Sequence, residues 1–497
     1  ISGTLSLENL KNLINTKIRD VTTVNDDGET VSKYKSRASV EEVSDGKFAL
    51  KFDVEGIEKL SFSAASSDPA LIVAGSSRSS DFNAITQGSL TKYTNLDDEN
   101  QKELFSAEIV GINANGFVIP ADADDDEAQD TSSTKVPFNT VPTAVKIDSQ
   151  GNSFVVGTTE GDIGGQINGA KTNDVFLSKY SSTGDLLWSR LLGASDEAEA
   201  FDIAIDADDN VIIAGKTNEE LIASDVFSGT DSFVTKFSNS GEELWTRQID
   251  TIATDQANGL TVDANGDIFI TGQVSGRIDA TTTANGGEDA TIFKLGSASG
   301  IILDKAQYGG ANNDIGKQIA IADDGNLLVL TEEDGNAVIR KLDKDNLDNT
   351  LASYDLGDLN GGSISDIIVD GTDIYVSGTT LSGSINGGNV IDGYNGGRDG
   401  FITKLNDNGG GFSADWTTYV GTSSSDTVSG ISLSNGSIYL AGTTSGTLSG
   451  ESKTGLSDSF TAKIDATSGA TIWQQQLGEA SGGYNEGVAV AFSENGS

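Results

Sequence analysis

The chain of 497 residues contains no cysteine, no histidine and no methionine, and only four prolines. Without cysteine it forms no disulfide and offers no thiolate to a substrate or a metal. Without histidine it lacks the commonest general base and the commonest zinc ligand, so neither a Ser-His-Asp nor a Cys-His arrangement can be assembled from it. Without methionine, Ile1 is not a translation start, and the chain is expected to be a processed product or an excised part of a longer one. No apolar run approaches the roughly 18 residues of a membrane-spanning helix, and the first residues do not read as a signal peptide. Basic residues are also scarce: 31 Lys and Arg face 75 Asp and Glu, a formal charge of −44. A field of that sign repels phosphate backbones and anionic lipid. Nucleic-acid and membrane-surface binding are therefore not expected.

Glycine is abundant, with 60 residues, and apolar residues make up 36%. That balance suits many short strands joined by tight turns. Self-similarity confirms the pattern. The stretches 144–159 (AVKIDSQGNSFVVGTT), 203–217 (IAIDADDNVIIAGKT) and 260–274 (LTVDANGDIFITGQV) each hold an apolar strand, an Asp/Asn/Gly turn and a second strand ending near Gly. A third strand follows at 174–180, 231–237, 289–295, 399–405 and 458–464, and a fourth at 186–193, 243–250, 415–421 and 471–478. The third-strand lysine recurs as Lys92, Lys179, Lys236, Lys294, Lys341, Lys404 and Lys463, at intervals of 47 to 87 residues. Four strands per unit at this period define a propeller blade, and seven lysines define seven blades.

The first unit, 69–111, has its second, third and fourth strands but no first strand of its own, whereas 486–497 reads as a first strand and turn with nothing after it. The expectation is an all-β, seven-bladed β-propeller over 69–497. Its C-terminal segment, 484–497, would complete the first blade and close the ring by removing open sheet edges. The acidic loop 112–140 falls between the first two blades. Residues 1–68 lie outside the repeat. Leu7, Leu10, Ile14 and Ile18 share a helical face, with Thr4 or Ser6 as cap, and strands are expected at 36–43, 47–54 and 58–65, the first two joined by a tight Asp45-Gly46 turn. This is a small α+β module.

The repeated residues read as structural. Trp188, Trp245, Trp416 and Trp473 are expected between blades, Phe176, Phe233, Phe401 and Phe460 in the core, and Asp174, Asp231, Asp399 and Asp458 in turn caps or neighbour pairs. The repeated lysine is expected as a structural tie or a solvated outer position. Acidic clusters at 122–130, 206–210 and 343–348 could offer oxygens to calcium, with Asp122, Asp124 and Asp126 as metal candidates, although none meets the EF-hand pattern. The last two clusters fall at turns that favour Asp and Asn in any case. No catalytic residue stands out, because no carboxylate pair is distinguishable in so acidic a chain. No organic cofactor is expected, and calcium is the one inorganic candidate. The Gly-rich stretches 387–400 and 408–412 lack a P-loop lysine and are read as loops.

The core hydrophobic-D-x-x-G-N-x-x-V-x-G-T-T, with D-x-F-x-x-K-Y/F and L-W-x-R-x-L-G, resembles the SBBP family of bacterial β-propeller repeats across 69–497. The fifth unit departs from it, with Thr331 in place of the glycine and no tryptophan. That family is defined by architecture, so the resemblance implies a fold and not an activity. The segment 3–15 (GTLSLENLKNLIN), followed by 45–52 (DGKFALKF), resembles the Ile-Asn motif region of flagellins, the pair here being Ile14-Asn15. Together the two are similar to the large flagellin-like flagellar regulatory proteins of the FlaEY type, and the lack of Cys, His and Met suits flagellins. The resemblance implies a non-catalytic structural or interaction role, exposed on the bacterial flagellum or cell surface, with other flagellin-like subunits as partners through flanking segments. The alternative is a secreted binding module for carbohydrate, protein or calcium. A carboxylate-based hydrolase or lyase on the ring axis is the third and weakest reading.

Overall fold

The computed structural model describes residues 22–24, 30–32, 37–44, 47–53, 70–78, 86–94, 102–109, 111–112, 483–493 and 137–478, the last with short interruptions between 165 and 285. The chain divides into two compact units, Ile1–Ala65 and Ser66–Ser497. In the first, Thr22–Val24 pairs antiparallel with Thr30–Ser32, and Arg37–Ser44 pairs antiparallel with Lys47–Asp53, while the expected Asp45-Gly46 turn lies outside the described residues. The helix expected around Leu7 to Ile18 and the strand at 58–65 lie outside the described residues, as do Asp122, Asp124 and Asp126.

The second unit is an all-β, seven-bladed propeller, with no helix among the described residues. Each blade is built on an antiparallel four-stranded sheet, and in blades two to seven those four strands run in chain order from the axis outward. In the second blade these are Thr140–Ile147, Ser153–Thr159, Asp174–Tyr180 and Leu186–Leu192, and in the third Ala198–Ile205, Val211–Thr217, Asp231–Phe237 and Glu243–Ile249. Burial follows position in the blade. The third strands, such as DVFLSKY and DSFVTKF, are buried at every residue because neighbouring blades cover both faces. The fourth strands begin exposed, at Leu186, Leu187, Leu244 and Ile472. Third strands therefore read as near-continuous apolar runs and fourth strands as mixed ones.

In the first blade, Tyr484–Ser493 pairs antiparallel with Ala70–Arg78, with Phe492 opposite Leu71 and Ala489 opposite Ala74. Thr86–Thr94 and Lys102–Ile109 follow outward.

Two local rules shape every blade. The first strand carries a bulge, for example between Ala200 and Asp202 and between Ile364 and Asp366. Opposite it, the second strand places a glycine against the first strand's backbone. A Cβ at Gly215 would lie 1.9 Å from the Glu199 carbonyl oxygen, at Gly272 1.8 Å from that of Gln256, and at Gly442 2.1 Å from that of Thr427. The fifth blade inverts the pair: Thr331 stands on the second strand and faces Gly316 on the first.

The sixth blade departs from the expectation that 387–400 is wholly loop. Asn389–Val390 forms a fifth, outermost strand, parallel to Phe412–Val420. The main chain continues the pairing, with Ile391 N–H donating to Thr417 O and Tyr419 N–H to Asp392 O. A two-residue strand amid glycines carries too little alternation to be seen as one.

Candidate functional site

The repeated polar residues are placed where blades meet. In blades two to six the third-strand lysine folds back onto the turn between the first two strands of its own blade. Lys179 Nζ lies 2.9 Å from Asp148 Oδ2, Lys236 2.8 Å from Asp206, Lys294 3.2 Å from Asp267, Lys341 2.7 Å from Asp324 and Lys404 2.9 Å from Asp373. Most of these ammonium groups also reach the following blade. Lys92 donates to Ser182 O, Lys179 to Asn239 Oδ1, Lys236 to Ser297 Oγ and Lys341 to Asp407. The lysine is thus a tie within and between blades, buried in all seven cases.

Burial opposes ionisation of Asp148, Asp206 and Asp324. Hydrogen bonds from the lysine and from Asn152, Asn210 or Asn326 outweigh that penalty and hold each carboxyl below its ordinary range. The acidic cluster 206–210 is therefore a turn. Asp206 Oδ1 accepts from the N–H groups of Asp208 and Asn210, Oδ2 accepts from Lys236, and Asp209 takes the left-handed conformation at φ 59°. In 343–348, Asp343 accepts from Asp345 N–H, and Asp345 pairs with Lys344 and Lys294. Among the described residues, no group of three or more Asp and Glu side chains is placed to hold a metal ion.

Trp188, Trp245 and Trp416 lie against the outer turn of the next blade. Trp188 Nε1 donates to Asn239 O and Trp245 Nε1 to Ser297 O, while the Trp188, Trp245 and Trp416 rings press on Gly241, Gly300 and Gly469. Phe176, Phe233, Phe401 and Phe460 are fully buried. Asp231 and Asp458 each accept from a fourth-strand glutamine, Gln248 and Gln476, at 2.8 Å. Asp399 is buried beside Asp426. Burial pushes its carboxyl up to about 6, against a bond from Asn395 N–H and with repulsion from Asp426 adding to the rise. These residues are spent on holding blades together.

The ring axis differs. The first strands of blades two to six line a cavity of about 350 Å³. At its waist stand three of the residues that follow a first-strand bulge, the polar Asp202, Gln318 and Asp366, whereas the corresponding residues of the other blades are small, Ala144, Gly259, Gly430 and Ala489. Asp202 Oδ1 accepts from Ile203 N–H at 2.8 Å and Oδ2 from Leu260 N–H of the next blade at 2.9 Å. Asp366 repeats this with Ile367 at 2.8 Å and Ile431 at 3.0 Å. Burial raises both carboxyls, that of Asp202 to about 6, opposed in each case by the charge of Lys146 and the backbone N–H groups. Lys146 also lines the cavity but is itself exposed, and it forms no ion pair with a described residue. Sequence reasoning did not single out this set. Its signal was an Asp inside an apolar first strand in two units only, at Asp202 and Asp366, where the others have Ala, Gly or Gln.

No family model matches the chain. It is 28% identical over 498 aligned residues, covering 90% of this chain and 50% of the relative, to the regulatory protein FlaEY of Caulobacter vibrioides. The chain thus spans about half the length of that relative. Among solved structures, a protein from Lactobacillus plantarum aligns over 86% of this chain and 99% of its own, at 11% identity and TM-score 0.44. A puromycin hydrolase aligns over 82% of this chain and 53% of its own, at 12% identity and TM-score 0.41. Hydrolysis is a property of the protein so named.

Proposed function

We propose that this chain is a non-catalytic structural and interaction domain, the surface-exposed part of a flagellin-like protein of the bacterial flagellum. The observation that carries the reading is the similarity to regulatory protein FlaEY across 90% of the chain. The chemistry of the repeats supports it, since the recurring Lys, Asp, Trp and Phe side chains are consumed by contacts within and between blades. In this reading residues 1–68 are a small α+β module of the flagellin type, and 69–497 are a ring of SBBP-type repeats. Tyr484–Ser493 beside Ala70–Arg78 is the latch that closes it. A latch at that place brings the two ends of the ring into one blade, as a domain inserted in a longer chain requires. Other flagellin-like subunits would be met through flanking segments, outside the cell.

The test is location. Antibody raised against the propeller should label purified flagellar filaments in immunogold microscopy, and the protein should appear in the sheared filament fraction. Protein confined to the cytosol, with unlabelled filaments, would overturn the proposal.

A further inference from the structure

The axial cavity carries an inference that goes beyond the flagellar reading and does not depend on it. We infer that the cavity at the ring axis binds a small alkylammonium ion, its head group held between Asp202, Gln318 and Asp366 and its alkyl chain against the apolar first-strand residues. The two carboxylates are oriented before any ligand arrives, because each accepts a backbone N–H from its own strand and another from the following blade. A buried, aimed carboxylate keeps acceptor capacity that two N–H bonds do not exhaust. The glycine at Gly259 makes room for the neighbouring Gln318 side chain, whose Oε1 would lie 2.8 Å from a Cβ there.

Charge selects the ligand. Asp202, Asp366 and Lys146 are the charged groups lining the cavity, and with both carboxyls ionised they sum to −1. A monovalent cation neutralises that sum, whereas an anion would face two carboxylates and a molecule of formal charge −44. Size and donor set exclude a bare metal ion as the natural occupant. Calcium wants six to eight oxygens close around it, no group of three acidic side chains is so placed among the described residues, and about 350 Å³ is the volume of a small organic site. The apolar surface comes from Ile205, Val262, Ile319 and Ile367, which suit an alkyl chain rather than a hydrated ion. Lys146 is a built-in competitor for the same carboxylates.

Titration calorimetry of the full chain with n-butylammonium chloride tests this, with sodium butyrate and calcium chloride as comparison arms. Butylammonium should bind one saturable site per chain, and butyrate should give no saturable heat. Lys146→Gln, at an exposed position with no ion pair to a described residue, should tighten butylammonium about threefold or more. Asp366→Asn should weaken it at least tenfold. The inference fails if neither the native chain nor Lys146→Gln binds butylammonium saturably. It fails equally if the two variants bind it as the native chain does, or if calcium displaces it, which would make the cavity a metal site.

Discussion

At the scale of single residues, the most informative case is a cluster that reads one way in sequence and another in space. The run 206–210 offers oxygens suited to a cation, yet the cation that takes Asp206 is Lys236, at 2.8 Å, with both side chains almost wholly buried. The lysine was visible as a repeat, expected as a structural tie or a solvated outer position. Its partner was visible only as an acidic turn, because 30 residues separate them and no periodicity links the two. Removing one member of a buried pair leaves an uncompensated charge. Lys236→Met should therefore lower unfolding free energy by about 3 kcal/mol in guanidinium titrations at pH 7, and adding Asp206→Asn should recover part of the loss. The sign with pH follows from the depressed carboxyl of Asp206. Its contribution is fully present above the unfolded carboxyl value near 3.9 and disappears as pH falls through the lower folded value. The acid branch of the stability curve should accordingly be shallower in Lys236→Met than in the native chain.

At the scale of strands and blades, the four-stranded unit and the count of seven were legible, because four strands and one lysine recur in each unit. The bulge was not. It shifts register by one residue inside an apolar run where alternation is already weak, so the waist residues it aims at the axis, Asp202 and Asp366 above all, went unrecognised. Its counterpart, the second-strand glycine, was visible as a repeat without a reason. The reason is the first strand's carbonyl, 1.9 Å from where a Cβ at Gly215 would stand, with the Ala200 backbone behind it. Gly215→Ala must push two paired strands apart, and it should cost roughly 3 kcal/mol or prevent folding, read by thermal unfolding and soluble yield. At Gly325, where nothing lies within 4 Å of a Cβ but φ is +82°, the same change should cost only the strain of the left-handed backbone, on the order of 1 kcal/mol.

At the scale of the whole molecule, charge of one sign dominates. An excess of 44 negative charges destabilises a compact state through self-repulsion, which salt screens with a Debye length of about 10 Å at 0.1 M. The lysine ties are buried and screened far less. Raising sodium chloride from 20 mM to 500 mM should therefore raise the melting temperature by roughly 5 °C in scanning calorimetry. A fall instead would mean that exposed ion pairs outweigh the repulsion.

The Lys, Trp and Arg contacts that join the second blade to the third and the third to the fourth also share one direction. Lys179, Trp188 and Arg190 of the second blade hold Asn239 and Gly241 of the third, and Lys236, Trp245 and Arg247 of the third hold Ser297 and Gly300 of the fourth. At these two joints the earlier blade carries the hooks and the later one the sockets. A load that peels blades away from the socket side leaves intact hooks gripping nothing, whereas a load from the hook side must draw each hook out of a socket that is still folded. Such a ring resists being unwound unequally in its two senses of rotation.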